Sequence, residues 1–545
     1  MIPMARPISG MLVLAIVLLP GCKTRTDAAA VANTPPAVPL YTDLGSHHHP
    51  ITASPEAQSY FDQGLRLLYA FNHDEAIASF KEGARLDSDC AMCWWGVALA
   101  LGPNINLPMD PKAEPEAWDA VRKAAALAPK AKPEERDYIA AASQRYANNP
   151  EQRAALDSAY ADAMRALHTK YPEDLDAATL YAEALMDLQP WNYWTVGGQP
   201  KGAIEEIVGT LEGVLAKDPN NPGGCHYYIH AVEASLSPER ALPCADRLAQ
   251  LMPGAGHIVH MPGHIYMRVG RYDLAAEHSK HGADEDRGFI GRRHPAGMYP
   301  LIYTSHNYHF LWAALSMQGR STEAIAAARE VIRYAPPEAI RQLPPLEYYS
   351  PTPYVALARF ERWNEVLEEP APSEDFKFTT GFYHYTRGLA FSATGKPAQA
   401  RAEREKLAAI EAAMPPDQMA NLNSMRTLLG IALRHLDADL AVRQGRTDVA
   451  VRALREAVTM EDGLTYDEPP PWYHPMRHVL GNILLAAGRA KEAEAVFRED
   501  LKHNRENGWS LHGLALALGK QGKTKEAAAI TTRFQEAWAE ADYRL

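Results

Sequence analysis

The chain contains little cysteine: five residues in 545, and one of them, Cys22, lies near the start. The other four are Cys90, Cys93, Cys225 and Cys244. Only the first two of these form a CxxC pair, so the second half of a zinc ribbon is absent. We expect Cys90 and Cys93 to be small buried core residues, with a local disulfide as the alternative. Four thiols allow three complete pairings, and the sequence alone does not choose among them.

Positive charge is also scarce, because 55 basic residues accompany 67 acidic ones and the formal net charge is -12. Nucleic-acid binding needs a positive face, so we expect no nucleic-acid partner. Alternating β-branched runs, which predict strands, are rare, and the HExxH motif of zinc proteases does not occur. With 47% hydrophobic and 22% charged residues, the chain is globular and long enough for several domains or a repeat array.

The apolar run at residues 11–19 is too short for a membrane span, which needs about 20 apolar residues. Because Arg6 precedes it, it predicts a secretory signal peptide over residues 1–22. The run leads into LPGC, which resembles the lipobox of bacterial lipoproteins. The resemblance implies that Cys22 is lipidated, and the alternative is ordinary cleavage nearby. Lys23 then favours an outer-membrane anchor, so we expect an envelope protein that meets the membrane only through its lipid and faces the periplasm or the outside.

Residues 23–53 are predicted to form a flexible tether, since Ala, Thr and Pro dominate its first part without periodicity. Over residues 54–545 a phrase recurs that consists of Gly, a basic residue, polar residues and then Ala. Clear copies begin at Gly270, Gly319, Gly395, Gly445, Gly488 and Gly522. The glycine suits a turn, and the small alanine lets the next helix pack closely on its neighbour.

The last two copies place Ala493 and Ala527 34 residues apart, with Phe497 four residues after the first. This spacing resembles the tetratricopeptide repeat (TPR), a helix-turn-helix unit of about 34 residues. The likeness is clearest over residues 57–90 and 474–540. It implies an all-α, TPR-like solenoid or superhelix of about a dozen helix pairs, in which the first helix of each pair lines a concave groove.

Between residues 221 and 318, histidines recur three or four residues apart. The candidate metal ligands in this part are His226, His230, Glu233, His257, His260, His264, His306 and His309. Residues with this spacing share one face of a helix, so each pair can direct two imidazoles at one point. Imidazole combined with carboxylate suits copper, zinc or iron, although the pattern does not identify one metal. No catalytic residue is assigned.

A proline and a glycine interrupt this helical pattern. Pro262 lacks an amide donor and Gly263 loosens the backbone, so a helix is expected to start or kink there. His257 and His260 are then expected on a loop that leads into the helix of His264.

Weaker histidine candidates lie outside this region. They are the run at residues 47–49, the outer-helix residue His278, and the pair His474 and His478 near the C-terminus. We expect the run to be either solvated or folded back as a lid or ligand. We expect His278 to be a surface residue.

The phrases HYYIHAVE at 226–233, HMPGHI at 260–265 and HNYHFL at 306–311 resemble a group of bacterial TPR lipoproteins or secreted proteins. The broad TPR family implies protein or peptide binding in the groove. Three functions remain open: an exported, lipid-anchored protein whose groove holds a His/Glu metal cluster; an envelope enzyme whose metal activates water or oxygen; and a scaffold that binds a protein or peptide without metal.

Overall fold

Helix follows helix through nearly all of the described chain, as the repeat phrase predicts. The computed structural model describes residues 38–147, 150–293 and 298–545. Cys22, the predicted signal peptide and residues 23–37 of the predicted tether lie outside the described residues. The helices are α1 (Pro55–Tyr69), α2 (His73–Leu86), α3 (Ala91–Ala100), α4 (Glu114–Leu127), α5 (Pro133–Ala142), α6 (Arg153–Lys170), α7 (Leu175–Asp187), α8 (Ile204–Lys217), α9 (Pro222–Glu233), α10 (Leu242–Leu251), α11 (Gly256–His260), α12 (Pro262–Val269), α13 (Tyr272–Arg293), α14 (Ser305–Met317), α15 (Ser321–Tyr334), α16 (Pro337–Gln342), α17 (Thr352–Arg359), α18 (Trp363–Glu368), α19 (Lys377–Ala393), α20 (Pro397–Ala413), α21 (Met425–Arg443), α22 (Thr447–Asp462), α23 (Met476–Ala486), α24 (Ala490–His503), α25 (Gly508–Lys520) and α26 (Thr524–Ala537). Short 3₁₀ turns lie at Ala128–Lys130, Pro150–Gln152, Pro238–Ala241 and Pro344–Tyr349, and a π turn lies at Pro300–Thr304.

The architecture is an all-α, TPR-like superhelix, which confirms the predicted fold class. Consecutive helices pack against each other along the chain, and two strands of two residues each, β1 (Met419–Ala420) and β2 (Asn423–Ser424), form a small hairpin. The six glycines of the recurring phrase all adopt φ between 71° and 80°. A residue with a Cβ would be strained in that conformation, which explains why the phrase begins with glycine. Within the described ranges, none of the helices combines the length and apolar character that crossing a membrane requires.

A phenylalanine between two glycines holds the repeats together near each end of the chain. Phe80 on α2 lies between Gly64 on α1 and Gly96 on α3, where an added Cβ would come 2.6 and 2.5 Å from the ring. Phe497 on α24 lies in the same way between Gly481 on α23 and Gly513 on α25. Both phenylalanines are fully buried, so neither ring has room to move aside.

We therefore predict that Gly513→Ala lowers the free energy of unfolding by about 1–3 kcal/mol, because the methyl group would overlap the Phe497 ring. Gly519→Ala on the same helix is the matched control, since no neighbouring atom lies within 4 Å of an added Cβ there. The control is expected to be neutral or to stabilise the helix by up to about 1 kcal/mol. Urea denaturation of both variants checks this, and equal effects at the two positions would contradict it.

Residues 39–53, which the sequence analysis placed in the tether, form an N-terminal arm that lies against the first helices. The carboxylate of Asp176 on α7 is 2.9 Å from the nitrogens of both His47 and His49. The Tyr69 hydroxyl donates to the same carboxylate at 2.6 Å, and His48 lies 2.7 Å from the carboxylate of Asp62. Of the two alternatives for this histidine run, the folded-back one holds.

The arm contains a group with a shifted pKa. Burial lowers the pKa of His49, but the hydrogen bond and the charge of Asp176 outweigh burial, so the net shift is upward from 6.5. Because the pKa of His49 is higher in the folded state, protonation of His49 stabilises the folded arm. This contribution is complete below the unfolded-state pKa of 6.5 and is lost as the pH rises through the folded-state pKa.

We predict that the difference in Tm between the parent and His49→Gln is largest near pH 6 and shrinks as the pH rises towards 8. Thermal unfolding followed by circular dichroism measures this difference. In an Asp176→Asn background the same comparison should lose its pH dependence, because the partner charge is gone. A difference in Tm that stays constant across this pH range in the parent background would rule out the ion pair as the cause.

All four cysteines of the described chain are paired. Cys90 and Cys93 are fully buried, as expected, but they are joined by a disulfide, which corrects the expectation of two free core thiols. Cys90 caps the start of α3, so residues three apart come within 5.4 Å between Cα atoms, a separation that a disulfide spans. The second bond joins Cys225 on α9 to Cys244 on α10.

The C-terminal helices pack back onto the central ones. Arg320 and Glu540 form an ion pair at 2.7 Å, and the Trp509 indole donates to the Ser316 carbonyl at 2.9 Å. Further along the same contact, the Tyr466 hydroxyl reaches Glu233 at 3.3 Å. The histidine-rich helices are therefore enclosed rather than exposed in an open groove.

Candidate metal centre

Four helices carry the candidate ligands. Helix α9 holds His226, His230 and Glu233, and every one of its twelve residues is buried. It begins where the Asn221 side chain accepts from the Gly224 amide and where Pro222 occupies the first turn. Both features are typical of a helix start, so the local sequence determines the register that directs the two imidazoles to one side.

The predicted break at Pro262 is present, and it separates two short helices. His257 and His260 lie on α11 and His264 lies on α12. The two histidines before the break are thus helical, not on a loop as expected. His306 is the second residue of α14, which directly follows the π turn, an irregularity that often occurs at functional sites.

The histidines form two groups of three. Triad A consists of His226, His230 and His257, and triad B consists of His260, His264 and His306. In each triad, one nitrogen from every residue lies within 4.8 Å of the other two. The triads adjoin each other, because the His230 and His264 ring centroids are 5.3 Å apart.

Triad A presents nitrogens that have no hydrogen-bond partner. His226 Nδ1 lies 2.6 Å from the Tyr69 carbonyl oxygen, which can only accept, so Nδ1 carries the proton and Nε2 has a lone pair. His230 Nδ1 donates to Glu233 at 2.8 Å and leaves its Nε2 in the same state. Among the described residues, neither of these Nε2 atoms nor either nitrogen of His257 finds a partner, although all are buried.

Triad B brings three Nε2 atoms together. His264 Nε2 lies 3.0 Å from His260 Nε2 and 3.2 Å from His306 Nε2. Nitrogens bound about 2.0–2.1 Å from one tetrahedral zinc ion would lie roughly 3.3 Å from each other, close to these separations. His264 Nδ1 donates to Glu233 at 2.5 Å, so its Nε2 also carries a lone pair directed at the other two rings.

Glu233 connects the triads, because one carboxylate oxygen accepts from His230 and the other from His264. Burial raises the pKa of this carboxyl group, but electrostatic interaction with the His264 ring and the hydrogen bonds from His230 and His264 outweigh burial and hold the pKa at about 2. Glu233 therefore stays ionised and orients one ring in each triad. Carboxylates commonly hold metal-binding histidines in this way.

Burial keeps most of the triad imidazoles neutral. It lowers the pKa of His226, His257, His260 and His306 well below 6.5, and neighbouring histidines lower it further. Neutral imidazole is the form that binds a metal ion, so these rings do not need to lose a proton at pH 7.

Each triad is covered by one phenylalanine. The Phe71 ring centroid lies 4.5, 6.1 and 5.4 Å from the three rings of triad A. The Phe310 centroid lies 4.4 to 4.9 Å from those of triad B. Phe71 has φ of 56°, a strained conformation that tends to occur where function requires it. Five of the six triad histidines are buried, and His306 is partly exposed.

The remaining candidates lie elsewhere. His309 is in neither triad, and its Nδ1 lies 2.9 Å from the Tyr348 hydroxyl. His478 lies 2.9 Å from Asp500 in a separate buried network. His278 is partly buried against the Val259 carbonyl rather than at the open surface. A further group joins His49 of the N-terminal arm to Asp174 and Asp176 at the start of α7.

Sequence reasoning missed the residues that position the ligands from distant segments. They are Tyr69, Phe71 and Tyr466. In the sequence, Tyr69 and Phe71 lie 157 and 155 residues before His226, and Tyr466 lies 233 residues after Glu233. No local spacing signals such contacts. Phe310 was visible inside the HNYHF phrase, four residues after His306, a spacing that places both on one helix face.

We predict that Glu233→Gln lowers metal affinity about 10- to 100-fold while the helical content stays unchanged. An amide offers one acceptor oxygen, so only one of the two Nδ1–H groups keeps its partner. Glu205→Gln, an exposed change on α8, is the control and should have no effect. Competition with a chromogenic chelator measures the affinity, and parent-like binding by Glu233→Gln would contradict the orienting role.

Comparisons with known proteins support the repeat architecture over a short part of the chain. The tetratricopeptide repeat family profile matches residues 476–499. No curated protein sequence matches the chain. A repeat scaffold of this class suggests a role in protein interaction.

Solved structures with partial likeness are helical. A human IFIT1 dimer with m7Gppp-AAAA is 13% identical, with 82% of this chain and 90% of that chain covered and a TM-score of 0.35. A structure of Naa15/Naa10 bound to HypK-THB is 15% identical, with 89% and 71% covered and a TM-score of 0.23. At these scores the likeness carries no argument about the function of this chain.

Proposed function

We propose that this chain is an exported, lipid-anchored metalloprotein that holds two transition-metal ions, one in triad A and one in triad B. The observation that carries the proposal is the convergence of three imidazole nitrogens in each triad; in triad A, four buried nitrogens have no hydrogen-bond partner among the described residues. The leader sequence and the likeness to bacterial TPR lipoproteins both support export and lipidation at Cys22.

Triad A is costly to bury because some of its nitrogens lack hydrogen-bond partners among the described residues. A buried polar atom left without a partner costs about 1–3 kcal/mol, and this triad contains four such nitrogens. Packing alone does not explain these histidines, because apolar side chains would fill the same space without the free-energy cost of unpartnered nitrogens. A bound metal ion would satisfy one lone pair from each ring and so account for the arrangement.

The donor set favours copper or zinc over iron. Each triad offers three imidazoles, whereas non-haem iron sites commonly combine two histidines with a carboxylate ligand. The nearest carboxylate, Glu233, is engaged by the Nδ1 atoms of His230 and His264 on the side away from the converging nitrogens. Between the two favoured metals, affinity for such ligands is higher for copper.

An enzymatic role is the second candidate function, and the number of ligands favours it. Three protein donors per ion leave a further coordination position for water, dioxygen or a substrate, which is the arrangement of catalytic rather than structural zinc sites. Binding of a peptide in an open groove without metal is supported less well, because the C-terminal helices cover the central ones.

We predict two metal ions per chain in the untagged protein, purified without chelator or loaded with Cu²⁺ or Zn²⁺. His257→Gln should retain one ion, His306→Gln should retain one, and the double variant should retain none. Inductively coupled plasma mass spectrometry gives the count, and circular dichroism shows whether each variant keeps its helical content.

His309→Gln is the matched control, since it removes a buried imidazole next to triad B that belongs to neither triad. It should still hold two ions. No metal in the parent after loading with copper, zinc and iron would refute the proposal. Unchanged stoichiometry in the His257→Gln and His306→Gln variants would refute the ligand assignment.

A further inference from the structure

A cavity of about 520 Å³ lies beside the metal centre, between the central and the C-terminal helices. Five of its lining side chains are aromatic: Trp191, Trp194, Tyr272, Tyr466 and Trp472. The volume falls in the range of about 300–1,000 Å³ that is usual for sites binding small molecules. It is much too small for a folded partner.

Three contacts connect the cavity wall to the centre. The Trp191 ring meets the His230 ring edge-on, with centroids 5.2 Å apart. The Tyr466 hydroxyl lies 3.3 Å from the carboxylate of Glu233. Arg268, which also lines the cavity, donates to the Glu233 carbonyl at 3.0 Å. Only one layer of side chains separates a molecule in the cavity from the ligands of triad A and their carboxylate.

The cavity also contains a buried carboxyl group with an unused atom. Glu468 is 5% exposed, and its Oε2 has no hydrogen-bond partner within the described part of the chain. Burial raises the pKa of Glu468 well above 4.5, and the nearby charge of Glu233 raises it further. Burial therefore favours the neutral carboxylic acid, which is the form that can donate a hydrogen bond.

Exposed apolar side chains mark the rim. Val196 and Leu236 both line the cavity and are 64% and 65% exposed. The loop on this side is held by the Trp194 indole, which donates to the Ala231 carbonyl of α9 at 2.8 Å. Trp191 has φ of 62°, a strained backbone conformation, and its ring contacts the His230 ring.

We propose that this cavity binds the organic substrate of the metal centre, a small aromatic molecule with a hydrogen-bond acceptor. Only the role of this molecule as a substrate rests on the proposed function, because its binding does not require metal. The aromatic walls offer ring stacking, which favours planar ligands over saturated ones of the same size. The Glu468 carboxyl supplies the donor that pairs with the acceptor.

The test uses metal-free protein and three probes of similar size. Phenol combines an aromatic ring with an oxygen acceptor, cyclohexanol keeps the oxygen without the ring, and toluene keeps the ring without the oxygen. Ligand-observed NMR titration gives each affinity. Phenol is expected to bind more tightly than both other probes, and equal binding of phenol and cyclohexanol would overturn the proposal.

Variants locate the binding. Glu468→Leu should weaken phenol about tenfold while toluene is unaffected, because only the hydrogen bond is lost. Glu468→Gln keeps an N–H donor and should bind phenol nearly as the parent does. Trp191→Leu should weaken phenol and toluene alike, whereas Trp94→Leu on α3, away from the cavity, should weaken neither. Phenol affinity that none of the Glu468 and Trp191 changes alters would refute the site.

A second measurement keeps the proposal testable if Glu468→Leu does not fold. Nuclear Overhauser contacts between phenol and the Trp191 indole in the parent are expected, and their absence at saturating phenol would overturn the assignment. The two proposals fail separately. Phenol binding in a protein that never takes up metal would refute the metal centre alone, and two bound ions without phenol binding would refute the cavity assignment alone.

Discussion

The arrangement of the site depends on one carboxylate that is shared by two imidazoles. Glu233 accepts from His230 with one oxygen and from His264 with the other, so a single ionised group determines the tautomer and direction of a ring in each triad. Because both Nδ1 atoms are used, both Nε2 lone pairs must point away from Glu233, towards the other rings. The two groups of three histidines are therefore one structural unit.

Such a unit is costly to bury, and the surroundings reflect this. Burial lowers the pKa of His226, His257, His260 and His306, so these four rings are neutral. The charge of Glu233 is compensated by the hydrogen bonds from His230 and His264. Phe71 and Trp191, both with positive φ, press against triad A from different segments. Strained non-glycine residues persist only where the rest of the fold holds them in place. The repeat scaffold supplies that rigidity through buried contacts such as Phe80 between two glycines.

The C-terminal helices change what the repeat array can do. An open solenoid would offer its central helices to a peptide, whereas here Tyr466 and Trp509 contact the central part of the chain. What remains accessible next to the centre is a small cavity lined in part by aromatic side chains and by the carboxyl group of Glu468, whose pKa burial raises. The proposed metal centre, the cavity and the enclosure together favour our proposal of chemistry on a small molecule over recognition of a large one.

Many features of the fold and of the candidate site could be predicted from the sequence, because they depend on local spacing. The Gly turns, the packed Ala and Phe positions, the break at Pro262 and the pairing of His226 with His230 all follow from helical periodicity, which acts over a few residues. The division into triads, the enclosure by the C-terminal helices and the disulfide pairing depend on contacts between segments far apart in the chain. Tyr69 is 157 residues from His226 and Tyr466 is 233 from Glu233, and no local pattern encodes such a distance. For this reason the sequence determined which side chains were available, and only the tertiary structure decided which of them meet.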